Sequence, residues 1–335
     1  MIDAAIVGLG RWGRALVGSV HGKSERIRFV REVDIACGSV LQDALDDASV
    51  QAVVLATPHS VHRAQAIAAA QAGKHVFCEK PLALRAADAR AMIGACERAG
   101  VVLAVGHNGR FWPAMRELKH LLAEGRLGRL LHIEGHNSNE NSNQVTGGWR
   151  TLEEESPGGG LTGAGLHVLD AFIGLCGPVQ RVHAQLNRYK EDLPPLDAMV
   201  ATYRFASGMS GTLATVRATP FYWRVHVFGS SGSAEVLGET ELVLRMSGRP
   251  AERLAFAPED SVKAELEAFA DAVERLAPYP IPAGEMLATV SAFEATVRSL
   301  RASRRASSRT RRTRRTPGSR PSPRRGRTRT RPTDP

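Results

Sequence analysis

Apolar positions follow two regimes along the chain. In the first third, short solid apolar runs alternate with stretches of helical periodicity. The runs are Ala4–Val7, Val53–Ala56, Val76-Phe77-Cys78 and Val101–Val105, with a second strand at Ile27–Val30 that Arg28 interrupts. Runs this short, bounded by glycine or proline, predict strands covered on both faces. Helical patterning covers Arg14–Val20, an alanine-rich segment ending at Ala72, and the stretches Arg85–Ala99 and Ala114–Ala123. Strands alternating with helices predict an α/β unit built on a doubly wound parallel sheet. One crossover is short. Between Val30 and Val53 only Val40–Asp47 can be helical, whereas parallel strands need a long connection. Either that segment is a minimal crossover or a longer helix is missing.

From Leu130 the pattern changes to alternating strands: Leu130–Gly135, Val179–Asn187, Ala198–Phe205, Gly211–Val216, Arg224–Phe228, Ala234–Leu237 and Leu242–Met246. Helices at Val262–Leu276 and Glu285–Leu300 follow. This predicts an α+β domain on a mainly antiparallel sheet. After Leu300, Arg, Ser, Thr and Pro recur without apolar periodicity, which predicts disorder. The resulting partition is 1–121, 122–300 and a 301–335 tail.

Charge sharpens that partition. The 335-residue chain carries a net +10, but fourteen arginines and a single acid, Asp334, lie from Arg301 onward. The first 300 residues hold 30 basic and 33 acidic residues, a net of −3. The tail reads as a solvated end, as a polyanion-binding arm or as an out-of-frame terminus. A nucleic-acid partner has only this tail behind it. No apolar run approaches the roughly 18 residues of a membrane span, and no basic leader precedes an apolar region. Cys37, Cys78, Cys96 and Cys176 stand apart without metal-ligand spacing, so they read as reduced thiols of a cytoplasmic protein, and no metal is expected.

Three stretches carry chemistry. Gly8-Leu9-Gly10-Arg11-Trp12-Gly13 follows a strand and opens a helix, the setting in which G-x-G-x-x-G binds a dinucleotide. Gly8 permits the turn, Gly10 lets backbone approach a pyrophosphate, and Gly13 lets helix pack on strand. Asp34 lies where an acid binds the adenine ribose, while Arg31 could face a 2′-phosphate. Glu79-Lys80-Pro81 ends a strand on the rim where such sheets bind ligands. Pro81 extends the Lys80 backbone and can hold a cis bond. Finally, Gly158-Gly159-Gly160 opens a helix with Leu161, Val168, Leu169, Phe172 and Ile173 on its apolar side. His167 and Asp170 share the other face, a base and its orienting carboxylate or a bonded surface pair. Trp149-Arg150 could hold a polyol or carboxylate, or be a structural stack. His21, His107, His120, His132, His136, His183 and His226 show no paired spacing and receive no metal role.

Together these motifs resemble the glucose–fructose oxidoreductase / inositol 2-dehydrogenase (Gfo/Idh/MocA) family from Ile6 to about Leu300. The matching elements are the Gly8–Gly13 loop, Thr57-Pro58 with His62, Ala72–Pro81, Gly106–Phe111 and the glycine-rich run ending at Asp170. The resemblance implies a Rossmann-type first domain and hydride transfer between NAD or NADP and a secondary alcohol or ketone of a sugar or polyol. It implies coenzyme contacts from Gly8, Leu9, Gly10, Arg11, Trp12, Gly13, Asp34, Thr57, Pro58, His62, Glu79 and Lys80. It implies Lys80 on substrate and coenzyme and His167 as base; Asp170 is expected beside that base, and Asn108, Trp149 and Arg150 on substrate. A homo-oligomer through the second sheet is also expected. Three departures stand out: Gly163 where many members carry an aspartate, the short second crossover, and the arginine-rich end. The first two leave an alternative, a nucleotide-binding member with little or no turnover.

Overall fold

The structure, a computed structural model, describes residues 1–34, 40–140, 148–187 and 198–313, with side chains to Ser303. Five parallel strands form the first sheet: β1 (Ile2–Val7), β2 (Ile27–Val33), β3 (Ala52–Leu55), β4 (His75–Glu79) and β5 (Leu103–Gly106), in the order β2-β1-β3-β4-β5. Helices α1 (Arg11–Val20), α2 (Leu41–Leu45), α3 (His62–Gln71) and α4 (Ala86–Ala99) connect them. Every residue of β3 is buried, as two covered faces require. Among the described residues, the second crossover holds a single helix, the five-residue α2. Cys37 falls outside the described residues.

This strand order reverses between β1 and β3, so a crevice opens beyond their carboxyl ends. The register aligns that rim. Val7 pairs with Leu55, Leu55 with Cys78, and Glu79 with Gly106. Gly8, Ala56, Lys80 and His107 thus leave four adjacent strands within one residue of the same level.

The second sheet has eight strands: β6 (Leu130–Ser138), β7 (Val179–Asn187), β8 (Ala198–Phe205), β9 (Ser210–Val216), β10 (Tyr222–Gly229), β11 (Gly232–Leu237), β12 (Glu241–Met246) and β13 (Glu252–Ala255). The order is β13-β12-β11-β10-β6-β9-β8-β7, antiparallel except between β6 and β9. Edge strand β13 escapes the sequence reading because Glu252-Arg253-Leu254-Ala255 has almost nothing to bury. Burial alternates along β8 from Met199 to Phe205, leaving one face on the core. That face is covered by α6 (Leu166–Cys176), whose Phe172 meets Tyr203 and Phe205. At the crossing a Cβ on Gly135 would lie 2.2 Å from Val168, so only glycine admits the helix. Helix α5 (Pro113–Ala123) joins the two sheets in sequence.

Two boundaries differ from the sequence reading. Helix α7 (Ser261–Val273) packs on the first sheet, not the second: Leu266, Phe269 and Ala270 lie in that core, and Phe269 meets Phe77 at 5.7 Å. Tyr279 Oη donates to the Val105 carbonyl at 2.8 Å. An amphipathic helix shows in sequence that it has an apolar side, not which sheet receives it. The last helix, α8 (Ala283–Thr313), continues past Leu300. The Ser303 hydroxyl donates to the Ala184 carbonyl on β7 at 2.8 Å. Arginine and alanine are strong helix formers, so the helix persists where apolar periodicity stops. The remainder of the expected disordered tail, 314–335, lies outside the described residues.

Candidate active site

The glycine loop follows from steric limits. Gly8 adopts φ +95°, and a Cβ there would meet the Ala56 carbonyl oxygen at 2.8 Å. A Cβ on Gly13 would lie 1.9 Å from the Gly8 oxygen. A Cβ on Gly10 would meet nothing within 4 Å, so this side of the loop is open. Gly10 caps α1 without any side-chain hydrogen bond, which leaves the first helical N–H groups and their partial positive charge facing that opening. Asp34 Oδ2 accepts from the Leu9 N–H at 3.1 Å, bringing the end of β2 to the loop. This cradle fits the diphosphate and adenine ribose of a dinucleotide. Arg31 is committed elsewhere, pairing with Asp47 at 2.6 Å.

Across the crevice, β4 ends at Glu79 and Lys80, and the Lys80–Pro81 bond is cis. Glu79 is buried, and burial raises its carboxyl pKa. Lys80 Nζ donates to the Gly163 carbonyl at 3.3 Å. Burial, with Arg150 and Arg217 adding, brings its ammonium down to about 8 against the pull of Glu79. His62 is fully buried between the carbonyls of Pro81 (3.0 Å) and Thr57 (3.1 Å). It therefore pins the two rim loops together, away from the crevice.

The facing wall comes from the second sheet's side. Gly158–Gly160 lead into one π-helical turn, Leu161–Gly165, before α6. Such wide turns recur at functional sites because they redirect side chains. Here the turn presents Thr162, Gly163 and His167 to a cavity of about 230 Å³. Arg11, Trp12, Thr57, Glu79 and Lys80 line its opposite side, with Trp149, Arg150 and Arg217 completing it. The Arg150 guanidinium stacks 4.2 Å from the Trp149 ring centroid. His59 meets that indole edge to face and bonds the Glu155 carbonyl. The Ser60 N–H donates to the buried Glu155 carboxylate at 3.1 Å, which ties this loop to the rim.

His167 and Asp170 do not pair. Asp170 is 1% exposed and takes Arg110 on both oxygens, at 2.5 and 3.1 Å. Arg110 also reaches Glu285 at 2.8 Å. Burial would raise the Asp170 pKa, but Arg110 outweighs it and the carboxyl is held low. α6 is buried on nearly all sides, so its polar side meets protein and not solvent. Between Asp170 and His167 stands His107, its ring 5.7 Å from that of His167 and its Nε2 3.7 Å from Asp170. Burial takes His167 well below its usual pKa, with Lys80 and His107 adding, so the ring is neutral at neutral pH.

The crevice thus gathers Arg11, Trp12, Thr57, Glu79, Lys80, Trp149, Arg150 and His167. Asn108 lies off it, its amide donating to Ser261 Oγ at 3.1 Å. Pro58 caps the short 3₁₀ turn His59–Val61. Sequence reasoning missed Arg217, His107 and Arg110. The last two stand in Gly106-His107-Asn108-Gly109-Arg110-Phe111, a motif visible in the sequence. Arg217 sits just past β9 in no motif.

The comparisons follow the same two-part layout. An oxidoreductase-family model with an NAD-binding Rossmann fold matches residues 3–107, and the GFO/IDH/MocA C-terminal domain matches 115–235. A 1,5-anhydro-D-fructose reductase of Ensifer adhaerens is 31% identical over 246 residues, 70% of this chain and 72% of the relative. The chain belongs to the Gfo/Idh/MocA oxidoreductase family. A 2,7-anhydro-N-acetylneuraminate hydratase of Escherichia coli K12 is 29% identical over 273 residues, 74% of this chain and 71% of the relative. Among solved structures, the WlbA dehydrogenase of Bordetella pertussis, in complex with NADH and UDP-GlcNAcA, has a TM-score of 0.76 at 25% identity, covering 90% of this chain and 96% of that one. As in its family, the dinucleotide-binding unit is NAD-type. Among the described residues no helix is long and apolar enough to cross a membrane.

Proposed function

We propose that the protein oxidises a secondary alcohol of a sugar, polyol or related compound, or reduces the matching ketone, using a nicotinamide coenzyme held by Gly8–Gly13 and Asp34. The observation that carries this is the convergence of Lys80 and neutral His167 on one cavity beside the glycine loop. When bound, the nicotinamide supplies the acceptor for the hydride leaving the substrate carbon. His167 takes the hydroxyl proton, so alcohol becomes ketone with one hydride and one proton lost. The low pKa of His167 keeps it unprotonated and ready as a base. The Lys80 ammonium steadies the negative charge that develops on the oxygen. Trp12 and Trp149 add apolar surface to the cavity wall.

With Asp34 on the loop and Arg31 tied to Asp47, NAD fits better than NADP. In this reading the first sheet with α7 is the coenzyme unit and the second sheet supplies the substrate wall. The sheet's outer face, exposing Val200, is the surface on which copies of the chain meet. The unpaired Cys78, Cys96 and Cys176 suit the reducing cytoplasm.

A second reading, coenzyme binding with little turnover, is favoured by Gly163, which brings no carboxylate to hold His167. Two measurements decide: fluorescence titration with NADH and NADPH, and coenzyme reduction across a sugar and polyol panel. His167→Ala and Lys80→Ala are expected to cut turnover by about 10²- to 10⁴-fold while NADH affinity stays within a few-fold. Full turnover in His167→Ala removes the base assignment. NADH binding without turnover on any substrate favours the second reading.

A further inference from the structure

The cavity has an excess of positive charge that hydride transfer does not use. Arg11, Lys80, Arg150 and Arg217 line it, against one carboxylate, Glu79, which burial drives toward its neutral form. Arg11 opens α1 beside Gly10, where a coenzyme diphosphate would sit. Arg217 stands on the opposite wall, just past the end of β9.

The surroundings of Arg217 are built from glycine. A Cβ on Gly160 would lie 3.5 Å from its Cγ, and a Cβ on Gly163 would lie 3.5 Å from its Cζ and 3.7 Å from Nε and Nη1. The side chain therefore runs along the glycine-rich turn and brings its guanidinium over Gly163. Gly163 is the same residue whose carbonyl receives Lys80 Nζ. His167 lies four residues on, on the same side of the helix. The guanidinium, the Lys80 ammonium and the His167 ring thus flank one small volume. Yet Arg217 Nε is buried without a hydrogen-bond partner, and among the described residues no carboxylate pairs with the guanidinium. A half-buried cation with no protein counter-charge is partly desolvated, and an anionic ligand offsets that cost.

We infer that the substrate is a sugar acid, whose carboxylate docks on the Arg217 guanidinium while its reacting hydroxyl lies between Lys80 and His167. A guanidinium matches a carboxylate with two parallel hydrogen bonds. Gly163 leaves room for the carboxylate and keeps the protein from neutralising its own arginine. The inference deepens the hydride-transfer reading and rests on it.

The test measures binding by calorimetry and turnover, on NADH- and NAD-loaded protein, with D-glucuronate, D-galacturonate and N-acetylneuraminate beside D-glucose, D-galactose and glucose 6-phosphate. At least one sugar acid is expected to bind and turn over about 10- to 100-fold better than its neutral or phosphorylated counterpart, the worth of one charge-assisted hydrogen-bonded contact. Arg217→Gln should erase that preference, and Arg217→Lys should restore part of it. Gly163→Asp tests the same point independently, because its carboxylate would lie against the guanidinium and fill the site. Equal handling of acids and neutral sugars by wild type, or a preference that survives both Arg217→Gln and Gly163→Asp, overturns the inference. A preference for glucose 6-phosphate overturns it in favour of a phosphate site. Turnover of neutral sugars alone would leave hydride transfer standing. Sugar acid binding without any turnover would support the carboxylate site while removing hydride transfer.

Discussion

The rings of His107 and His167 meet edge to face with their centroids 5.7 Å apart. Beyond His107 lies the Asp170 carboxylate, 3.7 Å from Nε2. Asp170 thus reaches the candidate base only through a second buried histidine. Burial pushes His107 from 6.5 down to about 4, with Asp170 opposing, and His59 down to about 3.

These depressed histidines set the acid limit of stability. Above pH 6.5 they are neutral in both states and their contribution is fully present. As pH falls below 6.5, the unfolded chain takes up protons that the native His107 refuses until about pH 4, so stability declines across that window. The unfolding midpoint should drop between pH 7 and pH 5, and drop less in His107→Asn. An identical pH slope in His107→Asn would show that His107 is not one of the groups responsible.

The Arg110–Asp170 pair is a buried ion pair, so losing one partner strands the other. Asp170→Ala should cost about 3–5 kcal/mol in denaturant unfolding. Gly174→Ala should cause a similar loss without removing any polar group, because its Cβ would lie 1.7 Å from Arg110 Nη1. Wild-type stability in both variants would contradict the pair's structural role.

Lys80 is an ammonium only below about pH 8. Its ability to steady negative charge should fade as pH rises through that value, giving kcat/KM a falling alkaline limb. In Lys80→Arg, whose guanidinium stays charged, the limb should vanish from the profile even though the rate is lower. A wild-type limb retained in Lys80→Arg would assign it to another group.

In the proposed coenzyme site, Asp34 sets the choice between NAD and NADP. Asp34→Ala should weaken NADH about tenfold or more and NADPH much less, narrowing the difference in the fluorescence titration. Gly13→Ala should abolish binding of both, since its Cβ would lie 1.9 Å from the Gly8 oxygen. Unchanged NADH affinity in Asp34→Ala takes that carboxylate out of the ribose site.

The sequence by itself determined what is local. Solid apolar runs and glycine spacing specify β1, the Gly8–Gly13 turn and the rim at Lys80, because strand burial and left-handed turns depend on a few consecutive residues. Five-residue α2 and the Leu161–Gly165 turn were also traceable, the first as a short crossover and the second as a glycine run. Only the tertiary structure decided which sheet receives α7, since an apolar stripe carries no address. It alone turned Asp170 from His167 to Arg110, because a polar residue on a helix buried on nearly all sides takes whatever counter-charge packs against it. And it alone brought Arg217 over Gly163: a lone arginine after a strand has no signature until two distant segments close around it.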